Sequence, residues 1–155
     1  MQDRFKTRVW DKTEKVMHYN DYVITATGYL AKIQECSNDN SIMYFNQEDL
    51  NFEKDKVCMF STGLKDKNGK LIYEGDVLKI NTHFNFLVPD DFEYKYESEK
   101  GYSLFKVYYN EEFARYEMKR IKWVKWETEH KRLCNIHTNH IIIGNIYENA
   151  ELLEE

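Results

Sequence analysis

The sequence has little proline, glycine and cysteine, and it has no long apolar run. One Pro and six Gly in 155 residues exclude collagen-like and low-complexity chains, which contain far more of both. No stretch approaches the ~20 apolar residues of a membrane-spanning helix, and residues 1–6 lack the apolar core of a signal peptide. Aromatic residues make up 15% of the chain, whereas disordered proteins are poor in them. We therefore expect a soluble globular protein.

The three cysteines, Cys36, Cys58 and Cys134, are too few and odd in number for the disulfide framework of a secreted protein. A chain of ~150 residues buries roughly 70% of its unfolded surface, so its core needs no disulfide or metal to be stable. Free thiols are typical of a reducing compartment. The cysteines therefore predict a cytoplasmic protein.

The charge is slightly acidic overall but unevenly distributed. The formal net charge of -5 excludes a basic field over the whole protein that would attract nucleic acid. Residues 90–99 nevertheless contain five acids and one base, and residues 115–125 contain five bases and one acid. The two segments either face each other across the fold, or the basic one forms a patch for nucleic acid or an acidic partner.

Short runs of β-branched and aromatic residues, broken by Asn, Asp and Gly, predict that the chain consists mostly of strands. Residues 5–10 and 16–19 predict an N-terminal hairpin. Residues 90–100, which follow the single proline, Pro89, predict a flexible or variable loop. Residues 113–126 suit both helix and strand spacing, and we favour a strand because a hairpin with residues 104–109 would bury a shared face.

Two tight turns flank a short strand in the middle of the chain. Residues 66–69, with the sequence Asp-Lys-Asn-Gly, predict either a two-residue hairpin loop or a type I turn with a glycine bulge. Residues 74–76 predict a second turn in which Gly75 takes the left-handed conformation. Small barrels use such compact corners to redirect their strands.

These turns carry a family resemblance. Residues 62–70, followed by residues 72–77, resemble the hallmark of the YopX-like family, and so does the C-terminal segment Ile143–Asn149. The family usually has proline where this chain has Ala150. The resemblance implies a mainly β fold with an SH3-like barrel, encoded by phages or prophages of Gram-positive bacteria. It carries no assigned catalytic activity.

The resemblance also implies the domain organisation. We expect one YopX-like domain over residues 1–155, in which residues 1–56 form a hairpin and loop appendage and residues 57–155 form the barrel-like core. Residues 82–139 are its variable region, with long inserted loops. The motif residues are interpreted as turn-forming and core positions, namely Gly63, Asn68, Gly69, Tyr73, Glu74, Gly75, Asp76, Gly144, Asn145 and Tyr147.

Two clusters have the residue types of a chemical site. Cys134, His137 and His140 are possible zinc ligands, but residues three apart face opposite sides of a strand, so the three converge only if the segment is a loop or helix, and the usual ligand pairs are missing. Glu74 and Asp76 are a carboxylate pair, but carboxylates beside a tight turn more often accept backbone N–H bonds. We therefore expect a non-catalytic protein without a metal or other cofactor.

Two binding functions remain. The first is protein association, either self-assembly or binding to a bacterial host protein, because exposed aromatic residues are typical of interfaces. The alternative is nucleic-acid binding by the segment 115–126, where bases could stack on aromatic rings within a basic groove. Nothing points to a membrane partner. The residues of that segment are Arg115, Tyr116, Lys119, Arg120, Lys122, Trp123 and Trp126. Other aromatic candidates in the unpatterned middle are Tyr94, Tyr96, Tyr102 and Tyr108.

Overall fold

The structure, a computed structural model, describes residues 2–19, 21–24, 30–35, 43–45, 55–90, 93–122, 130–132 and 140–153. The chain divides into two compact units, residues 1–64 and residues 65–155. Strands dominate both units, which confirms the mainly β prediction. The SH3-like barrel and the predicted division after residue 56 stay predictions. None of the helices in the described part of the chain is long and apolar enough to cross a membrane.

The N-terminal unit contains two antiparallel sheets. In the first sheet, strand β1 lies between β2 and β6, and in the second, β4 lies between β3 and β5. A short 3₁₀ turn, Gln2–Phe5, precedes β1. The strands are β1 (Thr7–Asp11), β2 (Val16–His18), β3 (Tyr22–Ile24), β4 (Leu30–Glu35), β5 (Met43–Phe45) and β6 (Lys56–Lys65).

The predicted N-terminal hairpin is confirmed. Strands β1 and β2 pair antiparallel, with Trp10 opposite Met17, and β1 also pairs with β6, with Val9 opposite Cys58. The side chains of Val9, Trp10 and Met17 are buried. The turn between β1 and β2 is therefore held at the end of a packed sheet.

The C-terminal unit contains an antiparallel sheet of five strands in the order β11-β10-β9-β8-β12. Buried side chains from its central strands, including Leu78, Phe105, Val107 and Met118, form the core of this unit. A 3₁₀ turn, Ala150–Leu153, follows the last strand. The strands of this unit are β7 (Leu71–Tyr73), β8 (Asp76–Asp90), β9 (Glu93–Asn110), β10 (Arg115–Lys122), β11 (His130–Arg132) and β12 (His140–Asn145).

The loop predicted for residues 90–100 is wrong. Strands β8 and β9 form one long hairpin whose register runs from Val77 opposite Lys106 to Asp90 opposite Glu93. Pro89 lies within β8, where the ladder with β12 has already ended at Ile80, so in the described part β9 is the only neighbour. Proline is tolerated at such positions because it removes few ladder hydrogen bonds.

The strand favoured for the basic segment is confirmed over residues 115–122. Strand β10 pairs with β9, with Tyr116 opposite Tyr109 and Met118 opposite Val107. The acidic run is not its strand neighbour, because residues 93–99 pair with residues 84–90 of β8. The basic strand β10 therefore pairs with the central strand β9 and not with the acidic residues 93–99.

Candidate binding surface on the C-terminal sheet

The first motif turn is a type I turn with a glycine bulge. Gly69 donates its N–H to the carbonyl of Asp66 at 3.0 Å, and Gly69 has φ of 82°. The Oδ1 atom of Asp66 accepts the N–H groups of Asn68 at 2.8 Å and Lys70 at 2.9 Å. The structure thus selects one of the two turn types that the sequence allows.

The second motif turn uses its carboxylate for structure. Gly75 has φ of 79°, and Oδ2 of Asp76 accepts the N–H of Tyr73 at 2.8 Å. Gly75 also donates its N–H to Val107 and accepts the N–H of Ile146, both at 2.9 Å. Asp76 is buried. The turn therefore links strand β9 to the C-terminal motif through backbone hydrogen bonds.

The C-terminal motif folds onto itself through amide side chains. The Oδ1 atom of Asn145 accepts the N–H groups of Tyr147 at 3.0 Å and Glu148 at 2.9 Å. The Nδ2 atom of Asn145 donates to the carboxylate of Glu148. Asn149 precedes the terminal 3₁₀ turn, and its Oδ1 accepts the N–H of Asn145 at 3.2 Å. Side chains of both motifs thus hydrogen-bond to the backbone of their own turns.

The basic segment begins with an arginine that is held by a neighbouring acid. Arg115 donates from Nε to Oε1 of Glu117 at 2.7 Å, and its Nη2 lies 2.5 Å from the same oxygen. Oε2 of Glu117 accepts the hydroxyl of Tyr108 at 2.7 Å and the Nδ2 of Asn110 at 2.9 Å. Hydrogen bonds from Asn110, Tyr108 and Arg115 hold the pKa of Glu117 at about 2. Glu117 therefore stays ionised and fixes the arginine.

Aromatic rings surround this arginine at the end of the β9–β10 hairpin. The guanidinium carbon of Arg115 lies 4.7 Å from the ring centroid of Phe113, whose side chain is 54% exposed. The rings of Tyr109 and Tyr116 pack edge to face with centroids 5.2 Å apart, and Tyr109 is 42% exposed. We call these four residues, Tyr109, Phe113, Arg115 and Tyr116, the hairpin tip.

Two lysines lie opposite each other on neighbouring strands next to the hairpin tip. Lys119 on β10 is the register partner of Lys106 on β9 and of His130 on β11. Lys119 is exposed and Lys106 is half-buried. Within the described residues, no carboxylate pairs with either lysine. We call Lys106 and Lys119 the cationic row.

The structure does not bring all the predicted site residues together. Arg120 is half-buried and has interactions of its own, and Lys122 lies at the end of β10. Trp123, Trp126, Cys134 and His137 lie outside the described residues. His140 opens β12, where its carbonyl accepts the N–H of Lys67 at 3.0 Å. The basic segment thus supplies Arg115 and Tyr116 to the hairpin tip and Lys119 to the cationic row.

The aromatic predictions have mixed outcomes. Tyr94 is 73% exposed, and Tyr102 is 42% exposed with the Nζ of Lys79 lying 4.3 Å from its ring centroid. Tyr108 is half-buried, and its hydroxyl donates a hydrogen bond to Glu117. Sequence reasoning did not single out Phe113, although a phenylalanine in a polar turn between two strands is the signal that marks it.

Comparisons with known proteins identify the family of this chain and a solved structure of similar fold. The family model for the YopX protein matches residues 6–154, so this chain belongs to the YopX family. A solved structure, protein EF1440 from Enterococcus faecalis, is similar over 96% of this chain and 97% of its own. The two share 26% sequence identity with a TM-score of 0.55. No curated protein gives a match.

Proposed function

We propose that this protein is non-catalytic and acts by binding another protein through the hairpin tip, either a second copy of itself or a protein of the bacterial host. The observation that carries the proposal is the exposed ring of Phe113 beneath an arginine that Glu117 holds in place. Its origin in a phage or prophage and its place in the host cytoplasm rest on the resemblance alone.

The hairpin tip has the residue types that dominate protein interfaces. Tyr, Phe and Arg are enriched there, and a few such side chains usually carry most of the binding energy. Arg115 is already ordered by Glu117, so a partner that contacts it does not have to immobilise a flexible side chain. Ordering a long side chain costs about 0.5–1.5 kcal/mol on binding. The Arg115 side chain of the hairpin tip is therefore preorganised for binding.

Light scattering over a range of protein concentrations tests self-assembly, and capture from phage-infected cells tests a host partner. We expect Phe113→Ser to weaken the association, because it removes an exposed anchor without touching the core. Phe5→Ser is the matched control, since Phe5 is 81% exposed in the N-terminal unit. Identical affinities of wild type and Phe113→Ser for the same purified partner, or for self-assembly, would count against the tip.

Nucleic-acid binding is a second candidate, and the cationic row favours it. Like charges placed directly opposite each other on neighbouring strands destabilise a sheet, so Lys106 and Lys119 together suit an anion such as a backbone phosphate. Direct contact of both lysines with phosphates would make the affinity fall steeply with salt.

A salt titration against labelled single- and double-stranded DNA and RNA tests this candidate. Lys119→Glu combined with Lys122→Glu should weaken binding and lower the slope of affinity against salt by about one for each phosphate that the variant no longer neutralises. Lys67→Glu combined with Lys70→Glu is the control, since both lysines are exposed in a turn of the same unit. An absence of binding at low salt, or unchanged binding by the first pair, excludes the cationic row.

A further inference from the structure

A cluster of potential metal ligands lies at the turn between β1 and β2, in the N-terminal unit. The ligand atoms of Asp11, Glu14 and His18 all lie within 4.8 Å of one another. Asp11 ends β1, and His18 ends β2, so the paired strands position two of the three ligands. Glu14 lies in the turn itself, and its side chain is 64% exposed.

His18 is oriented as a ligand. Its Nδ1 lies 2.6 Å from Oδ2 of Asp21, and its ring packs edge to face on Tyr22 with centroids 5.3 Å apart. A proton on Nδ1, donated to Asp21, leaves the lone pair on Nε2. That Nε2 atom is enclosed and has no hydrogen-bond partner among the described residues, and it lies 3.9 Å from Oε2 of Glu14.

We propose that Asp11, Glu14 and His18 bind one zinc-class divalent metal ion, with Asp21 as the residue that positions His18. Zn²⁺ is bound by imidazole nitrogen and carboxylate oxygen at about 2.0–2.2 Å, and a site with three protein ligands keeps a fourth position for water. A carboxylate on the second nitrogen of a metal-binding histidine fixes its tautomer and orientation. Asp21 has this relation to His18.

The surrounding charges favour a dication. Asp11, Glu14 and Asp21 carry three negative charges near His18, and the Nζ of Lys56, 2.5 Å from Oδ2 of Asp11, carries one positive charge. The net charge of -2 is what one divalent ion neutralises. Oδ1 of Asp11 already accepts the N–H groups of Thr13 and Glu14, so the metal would take the remaining lone pair of Oδ2 beside Lys56.

Closing the site requires its ligand atoms to move closer together. Ligand atoms around tetrahedral Zn²⁺ lie about 3.4 Å apart, as follows from the bond lengths, whereas the cluster spans up to 4.8 Å. Asp11 and His18 are held by their strands and hydrogen bonds, but Glu14 is exposed and makes no short side-chain contact that holds it. Glu14 is therefore the ligand that swings in.

Calorimetric titration of the full chain with ZnCl₂ tests the site, and Co²⁺ substitution reports tetrahedral geometry by its visible absorption. We expect one Zn²⁺ per chain and an affinity at least tenfold lower in Glu14→Gln and in His18→Gln. Asp21→Asn should lose about 10- to 100-fold, as outer-shell partners usually do. Glu112→Gln, an exposed acid in the β9–β10 turn, removes the same charge elsewhere and should bind as wild type does.

Three outcomes would overturn the proposal: no Zn²⁺ binding, equal affinities of Glu14→Gln and Glu112→Gln, or one-to-one binding that survives His18→Gln. If His18→Gln still binds one Zn²⁺, other residues hold the metal, and Cys134 and His137 are the first to substitute. Glu14→Gln keeps the test valid even if His18→Gln fails to fold, since Glu14 contributes no core contact. Thermal melting in the presence of a chelator checks that each variant is folded.

Discussion

Oδ2 of Asp66 accepts the backbone N–H of Ile142 at 3.2 Å, so a residue of the first motif turn holds a strand 76 positions further along the chain. The same carboxylate organises its own turn through Asn68 and Lys70. One side chain thus connects a local turn with the last strand of the sheet.

Replacing Asp66 should destabilise both the turn and strand β12. Asp66→Ala leaves the half-buried N–H of Ile142 without its acceptor, and the loss of such a hydrogen bond costs about 0.5–1.5 kcal/mol. Urea unfolding measures the loss, and hydrogen exchange should show reduced protection of the Ile142 amide. Asp66→Asn keeps one oxygen acceptor and should lose less. Undiminished protection at Ile142 in Asp66→Ala would contradict the assigned link.

Two motif glycines should fail for different reasons when they become alanine. A Cβ on Gly144 would overlap the side-chain amide of Asn149 and lie 3.0 Å from Cδ1 of Leu152, so we expect overpacking to cost about 1–3 kcal/mol. A Cβ on Gly69 meets nothing within 4 Å, but φ of 82° is unfavourable for alanine by about 1–2 kcal/mol.

Second substitutions separate the two causes. Asn149→Ala should recover part of the loss in Gly144→Ala, because it removes the overlapping group. Gly69→Asn should be milder than Gly69→Ala, because asparagine tolerates the left-handed conformation. Urea unfolding of the single and double variants provides the comparison, and strictly additive losses at positions 144 and 149 would refute the steric explanation.

The protein should lose stability as the pH falls from about 4 towards 2. The ion pair with Lys56, followed by the N–H of Glu14, lowers the pKa of Asp11 from 3.8 to about 2. The unfolded chain therefore binds a proton at higher pH than the folded chain does, so this contribution is complete above pH 3.8 and disappears as the folded carboxyl protonates. Glu117, whose pKa falls from 4.5 to about 2, acts in the same direction.

Urea unfolding at a series of pH values from about 7 to about 2 checks this dependence. Asp11→Asn should be less stable than wild type at neutral pH and should show a flatter decline in acid. A decline as steep as that of wild type would show that Asp11 is not a source of the acid sensitivity.

Lys119→Glu should stabilise the fold while it removes anion binding. Opposite charges at paired positions of neighbouring strands are favourable by about 0.2–1 kcal/mol, and Lys119 lies opposite Lys106. Thermal melting at low salt measures the gain, which should shrink when salt screens the pair. Lys67→Glu, at an exposed turn position, is the control, and a destabilised Lys119→Glu would argue against the like-charge arrangement.

Glu117→Gln should lower the pKa of Tyr108 towards its ordinary value. The hydrogen bond from Tyr108 to the Glu117 carboxylate, assisted by burial, raises the pKa of the phenol. A neutral amide accepts this bond more weakly and stabilises the phenol less against ionisation. The titration of ¹³C-labelled tyrosines, with Tyr108→Phe to assign the signal, measures the change. We also expect weaker partner binding, because Arg115 is released.

The turns and the N-terminal hairpin were predictable because their causes are local. Asn68 and Gly69 define a turn by their own conformational preferences, whichever strands follow. The long β8–β9 hairpin was not predicted, because Pro89 and the acidic residues after it are typical of loops. The alternating aromatic residues within 84–96 were the evidence in the sequence for strands instead of a loop.

The binding surface was only partly predictable, since register decides it. The sequence shows that Arg115 and Lys119 are basic. It does not show that Arg115 is paired with Glu117, or that Lys119 lies opposite Lys106. Cross-strand neighbours are distant in sequence, and a shift of one residue would exchange every pair. The cluster of Asp11, Glu14 and His18 also depends on strand pairing, because β1–β2 pairing places His18 opposite Val9, two residues from Asp11.

Asp76 and Asn145 are register partners, and Gly75 is bonded to Ile146 beside them. The two ends of the long segment between the family motifs are therefore held together at one place. This segment contains the packed core strands, so residues can be added at small cost only outside them, because the entropy of closing a flexible segment rises slowly with its length.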